Sequence, residues 1–235
     1  MRASRALFLA ALLLGALPCQ GQFADFGKNK VQYFPFTWQK MATPHFDLYF
    51  YPEEEELAGY AAAMAEEKFT DLEGKFGHRV QRRVPLILYS SHIYFEQTNI
   101  IPSLLPEGVA GFTEFLKGRV ALPLSNSLPE FERVLHHELV HVFMFDRISQ
   151  VLHRQGIAEH RAAPLWFSEG LAEYWSGEMD PFGDMILRDA LFSGQLASIA
   201  QMYQILGTYQ MYKRRSSAGC WRTGGWTRIS TRSTS

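Results

Sequence analysis

The spacing of hydrophobic positions changes several times along the chain, and the changes mark elements. Residues 45–51, His-Phe-Asp-Leu-Tyr-Phe-Tyr, alternate, which puts Phe46, Leu48 and Phe50 on one face of a strand. Pro52 ends it, and the acidic run Glu53 to Glu56 opens a helix, where negative charge suits the positive end of the helix dipole. Leu57, Tyr60, Met64, Phe69, Leu72 and Phe76 follow at helical spacing up to Gly77, so this stripe is expected to face the core. Val84 to Tyr89 is an unbroken apolar run suited to a buried strand. Gly108 to Leu116 and Arg119 to Leu124, separated by Lys117 and Gly118, read as a hairpin. Pro123 in its second arm predicts that this arm lies at a sheet edge.

The period then turns helical. Ser127 and Glu130 have the spacing of a capping box, and Pro129 falls in the first turn, where its missing N–H costs nothing. Phe131, Val134, Leu135, Leu139, Val142 and Phe143 form one stripe over about four turns. A loop is expected over 147–163. Pro164 reopens a helix through Trp166, Phe167, Leu171, Ala172 and Trp175, aromatics read as core, and shorter helices are expected near 183–193 and 198–212. The fold class this predicts is α+β: a small, mostly antiparallel sheet with an edge strand, packed on the long helix and further helices.

The two ends change the picture of size and charge. Arg2 and Arg5, the uncharged run from Ala6 to Leu17, and Cys19 and Gly21 make up the three regions of a signal peptide over 1–21. The run of 12 residues is too short for a membrane-spanning helix, which needs about 20. The expectation is an exported protein with no transmembrane span after cleavage, and with Cys220 left as its single cysteine, so without an intrachain disulfide. Residues 213–235 hold one Lys, five Arg and nine Ser or Thr, with no acid and no periodicity. They read as foreign to the domain, either a disordered tail or a shifted reading frame. In the second case the domain over 22–212 is incomplete at its C-terminal side. The chain carries 23 basic and 24 acidic residues. Setting aside the two arginines of the first segment and the six basic residues of the tail leaves 15 basic against all 24 acidic ones. An acidic domain of this kind is not expected to bind nucleic acid.

The chemistry is concentrated at His137-Glu138-Leu139-Val140-His141, an H-E-x-x-H sequence on the long helix. Residues four apart lie one above the other, so both imidazoles project from one face and can share a zinc ion. Glu138, about 100° around the helix, stands beside that ion and can take a proton from the water it holds. A second acidic segment follows at Trp166-Phe167-Ser168-Glu169-Gly170-Leu171-Ala172-Glu173-Tyr174. Glu169 is the expected third ligand, with His153 and His160 of the intervening loop as competitors. Glu173, one turn on, either hydrogen-bonds the outer nitrogen of a ligating histidine or is an ordinary helix-surface carboxylate. His136 points away from the pair and is expected at the surface or behind the ligands.

H-E-L-V-H followed by W-F-S-E-G-L-A-E-Y resembles the gluzincin zinc metallopeptidases, and within them the peptidase-like domain of secreted proteins that often continue into a β-propeller. The resemblance spans roughly residues 40–212. It implies Zn2+ bound by His137, His141 and Glu169, Glu138 as general base, and a peptide or protein substrate paired along the strand from Arg119 to Leu124. Met144 and Arg147 occupy the positions where metzincins need Gly and His, which excludes that branch. Tyr203, Tyr209 and Tyr212 are candidates for stabilising the tetrahedral intermediate. The competing expectation is a non-catalytic, zinc-stabilised binding module of a propeller-containing exported protein.

Overall fold

The computed structural model describes residues 34–101, 105, 109–124, 127–157, 163–177, 181–195, 198 and 201. The signal peptide, the tail, His160, both cysteines, Tyr203, Tyr209, Tyr212 and all but two residues of the 198–212 helix lie outside them.

Five strands form one sheet: β1 (Gln39–Ala42), β2 (Phe46–Phe50), β3 (Val84–Tyr89), β4 (Phe112–Thr113) and β5 (Val120–Pro123). Their order is β1-β2-β3-β5-β4. The two outer pairings are antiparallel and the two inner ones parallel. The helices are α1 (Glu55–Phe76), preceded by a 3-10 turn at Pro52–Glu54, then α2 (His92–Glu96), α3 (Leu128–Arg154), α4 (Leu165–Ser176) and α5 (Pro181–Phe192). The class is α+β, as expected. No helix among the described residues is long and apolar enough to cross a membrane.

The alternation read in 45–51 is the real one, with Phe46, Leu48 and Phe50 buried on one face. With Val84, Leu86, Leu88, Val120 and Leu122 they form the sheet side of the main core, which α1 and α3 cover. The other face carries a smaller cluster around Tyr51, Ile87, Tyr89, Phe95 and Ala121. Burial on both faces explains why Val84–Tyr89 reads as an unbroken apolar run.

Several expectations need correcting. The first half of α1 buries Ala58, Ala61, Ala62 and Ala65, while Leu57 and Tyr60 are exposed. Alanines let the helix axis approach the sheet, and the larger side chains are left off that face. Helix α3 runs to Arg154, through the first half of the expected loop, and ends at Gly156 in a left-handed conformation with φ of 68°. Its N-cap is Ser127, but the serine side chain makes no capping hydrogen bond, so the expected capping box is not formed. The strand from Arg119 to Leu124 is not the sheet edge. Val120 and Ala121 pair with β3 on one side and with β4 on the other. Pro123, which has no N–H to give, stands where the β4 ladder has already stopped. The outermost strands are β4 and β1, and β1 is mostly exposed, without an apolar alternation to reveal it.

Phe69 shows how the layers lock. It is fully buried, stacks on His45 at 4.1 Å between ring centres, and meets Phe46 and Phe143 edge-on at 5.6 and 4.8 Å, linking β2, α1 and α3. Phe69→Ala is expected to lower stability by about 3–5 kcal/mol, read from the midpoint of urea unfolding. A loss below about 1 kcal/mol, the scale of an ordinary surface change, would show that this contact is not part of the core.

Candidate metal centre

Helix α3 presents two surfaces. Its apolar stripe enters the core, and every residue from Glu138 to Met144 is buried. On its other side, His137 and His141 stand one turn apart at the floor of a cleft of about 570 Å3. Helix α4 forms the facing wall. Leu171 and Ala172 bury against the core, and Trp175 meets Phe76 edge-on at 4.8 Å, while Phe76 stacks on Phe143 of α3 at 5.7 Å. This aromatic column fixes α4 beside α3 and turns its first two turns toward the histidines.

The result is a triangle of donors. His137 Nε2 and His141 Nε2 are 3.2 Å apart, Glu169 Oε2 lies 3.2 Å from the first, and it lies 3.5 Å from the second. Ligands held at roughly 2.0–2.1 Å around a tetrahedral ion are about 3.3–3.4 Å from one another. The three side chains fit one small ion with no change of rotamer. Two imidazole nitrogens facing each other cannot both carry hydrogen, so at least one offers its lone pair into the triangle. These residues also form the one group of three or more metal-binding side chains among the described residues. His153 is exposed near the far end of α3 and takes no part in it.

Glu138 is buried but outside the triangle, and its Oε2 accepts a hydrogen bond of 2.8 Å from the Thr113 hydroxyl. Glu173 Oε1 lies 3.6 Å from His137 Nδ1 and 3.7 Å from Arg133 Nη1, so it meets both as a charge beyond hydrogen-bond length. His136 is buried, with Nε2 3.6 Å from Asp71 of α1. Burial, together with the Lys75 charge, brings its pKa down to about 4. His136 is therefore a neutral group between α1 and α3, away from the surface. Trp166, Phe167 and Trp175 pack as core or against it. Thr113, Gly111 and Arg133 line the cleft and were not recognisable from sequence. Thr113 is 25 residues from Glu138, and only the hairpin geometry joins them.

The charges in the triangle support one another. Burial pushes the Glu169 carboxyl up, but hydrogen bonds and charges from His137 and His141 overturn this and bring it down to about 2. Burial pushes the His141 imidazolium down, yet the contact with Glu169 and the charges of Glu138, Glu169 and Glu173 hold its pKa above the ordinary histidine value. In the metal-free protein Glu169 therefore stabilises the fold above its ordinary pKa of 4.5, and that contribution fades as pH falls toward about 2. His141 works in the opposite sense: its contribution is complete below 6.5 and disappears as pH rises through its elevated pKa.

A metal ion must displace the proton from His141, so zinc affinity should fall as pH is lowered, approaching about tenfold per unit once His141 is protonated. Competition with a chromophoric chelator at pH 6, 7 and 8 measures this, and a pH-independent affinity would exclude His141 as a ligand. Glu169→Ala is expected to abolish stoichiometric zinc uptake, and undiminished uptake would remove Glu169 from the set. These expectations rest on the geometry of this chain alone, since no protein-family model, no curated protein and no solved structure matches it.

Proposed function

We propose that this protein is a zinc-dependent peptidase of gluzincin type, hydrolysing peptide bonds in the cleft between α3 and α4. The observation that carries the reading is the Nε2–Nε2–Oε2 triangle, with a buried carboxylate, Glu138, next to it in sequence and outside it in space. Nitrogen and oxygen donors at tetrahedral spacing suit zinc. Zinc, held by His137, His141 and Glu169, would supply a Lewis acid strong enough for water to lose its proton near neutral pH.

The residues of the chain do the rest. Glu138 accepts the proton of the attacking water and returns it to the leaving amine, so the carboxylate is regenerated at the end of each turnover. Glu173, set beside His137 Nδ1, favours the tautomer that keeps Nε2 free of hydrogen. Glu114 N donates to Arg119 O across the hairpin, and β-strand alternation then turns the backbone groups of Gly111 and Thr113 away from β5. That outer side of β4 is where an extended peptide pairs in this reading, which moves the docking strand from Arg119–Leu124 to β4.

Glu138→Gln is expected to keep the metal and to lower hydrolysis of a fluorogenic casein about 10²- to 10⁴-fold. Unchanged hydrolysis would remove Glu138 as the base. Zinc binding without hydrolysis in the wild-type chain would overturn the peptidase reading in favour of a zinc-stabilised binding module.

A further inference from the structure

The Thr113 hydroxyl lies between two acceptors that belong to the same residue. Thr113 Oγ1 is 2.8 Å from Glu138 Oε2 and 2.9 Å from the Glu138 backbone oxygen. A hydroxyl has one hydrogen to give, so it serves one acceptor fully at a time or divides itself between them. Both acceptors are within reach by rotation about the Cβ–Oγ1 bond alone, so the hydroxyl ties the Glu138 side chain to its own backbone.

From this geometry we infer that Thr113 is a positioning residue for Glu138: through Oε2 it holds the side chain in one orientation, and through the Glu138 backbone oxygen it is tied to the same turn of α3. The inference rests on the reading of Glu138 as the base. Thr113 keeps its own proton throughout. The proton of the water moves to Glu138 and on to the leaving amine, and Oε1 is the oxygen free to carry it. Gly111, two residues earlier and just before β4, lies against Glu138, and a Cβ there would meet Leu122 Cδ2, Val134 Cγ1 at 3.2 Å and Glu138 Cγ at 3.3 Å. This segment thus brings a bare backbone and one hydroxyl onto the glutamate.

The test compares Thr113→Val, which keeps shape and removes the hydroxyl, with Thr113→Ser, which keeps the hydroxyl. Both should bind one zinc per chain. In casein hydrolysis, Val is expected to lower kcat about ten- to a hundredfold at little-changed KM, the scale of a slightly misplaced catalytic group, and Ser to stay within about threefold of wild type. A second readout needs no turnover. Acetohydroxamic acid binds zinc as its anion and gives its proton to a neighbouring base, so its affinity for the zinc-loaded protein should fall about tenfold in the Val variant, as in Glu138→Gln, and recover in Ser. Wild-type kcat and hydroxamate affinity in the Val variant, or a Ser variant as impaired as Val, would overturn the role of Thr113 and leave the peptidase reading standing. A wild-type chain that binds zinc and hydroxamate but cleaves nothing would overturn the peptidase reading, with Thr113 still judged by hydroxamate affinity. A chain that takes up no zinc overturns both.

Discussion

Two imidazoles and a carboxylate meeting within 3.5 Å at the floor of a cleft is the interaction on which the rest of the architecture depends. Withdrawing such groups from water is costly unless each is paired. Here each is the partner of the others, and that is why Glu169 stays ionised to about pH 2 although burial opposes it. Mutual support of this kind has a steric requirement: α4 must hold Glu169 against α3 without filling the space between them. The aromatic column from Phe143 through Phe76 to Trp175 meets it by placing the bulk behind the site, on the core side of both helices. Ala172, fully buried, adds almost no volume on the α4 side.

The same division of labour explains what could be read from the sequence. Elements whose identity rests on local periodicity were legible: β2 from Phe46, Leu48 and Phe50, β3 from its apolar run, the C-terminus of α1 from Gly77, whose φ of 52° suits a glycine, and the start of α4 at Pro164. The histidine pair was legible for the same reason, since four residues on a helix fix a direction in space. Glu169 was legible from its segment, although its distance to the histidines was set by tertiary packing. What was hidden depended on partners far away in sequence. The buried side of the first half of α1 is alanine, and alanine carries little pattern. Strand β1 is polar because little covers it. The position of β5 followed from a two-residue β4 that no propensity would single out. Helix α3 continued into the first half of the expected loop, although residues 147–150 carry Arg, Ser and Gln, because Phe145 and Ile148 pack against the core and extend its face.

Strand β4 is the least conspicuous element and the one that joins the sheet to the site. Two residues pair with β5, and its position is secured from the far end of the hairpin. Gly118 turns there with φ of 56° beneath the Arg82 guanidinium, where a side chain would collide, and Arg82 Nη1 donates to Lys117 O at 3.0 Å. Arg82 Nε also lies 3.9 Å from Asp146 of α3, and His78 Nε2 is 2.7 Å from the other oxygen of that carboxylate. Asp146 is five residues beyond His141. The segment following α1 therefore holds the tip of the hairpin and the body of α3 at once. The distance from Thr113 to Glu138 is fixed by contacts that include none of the three metal donors. Glu138 and the two histidines share α3, and the hairpin adds a second support to Glu138 while α4 adds Glu169 to the histidines. A carboxylate held this way has its orientation set by the hairpin as well as by its own helix, the kind of support that fixes a side chain in one geometry.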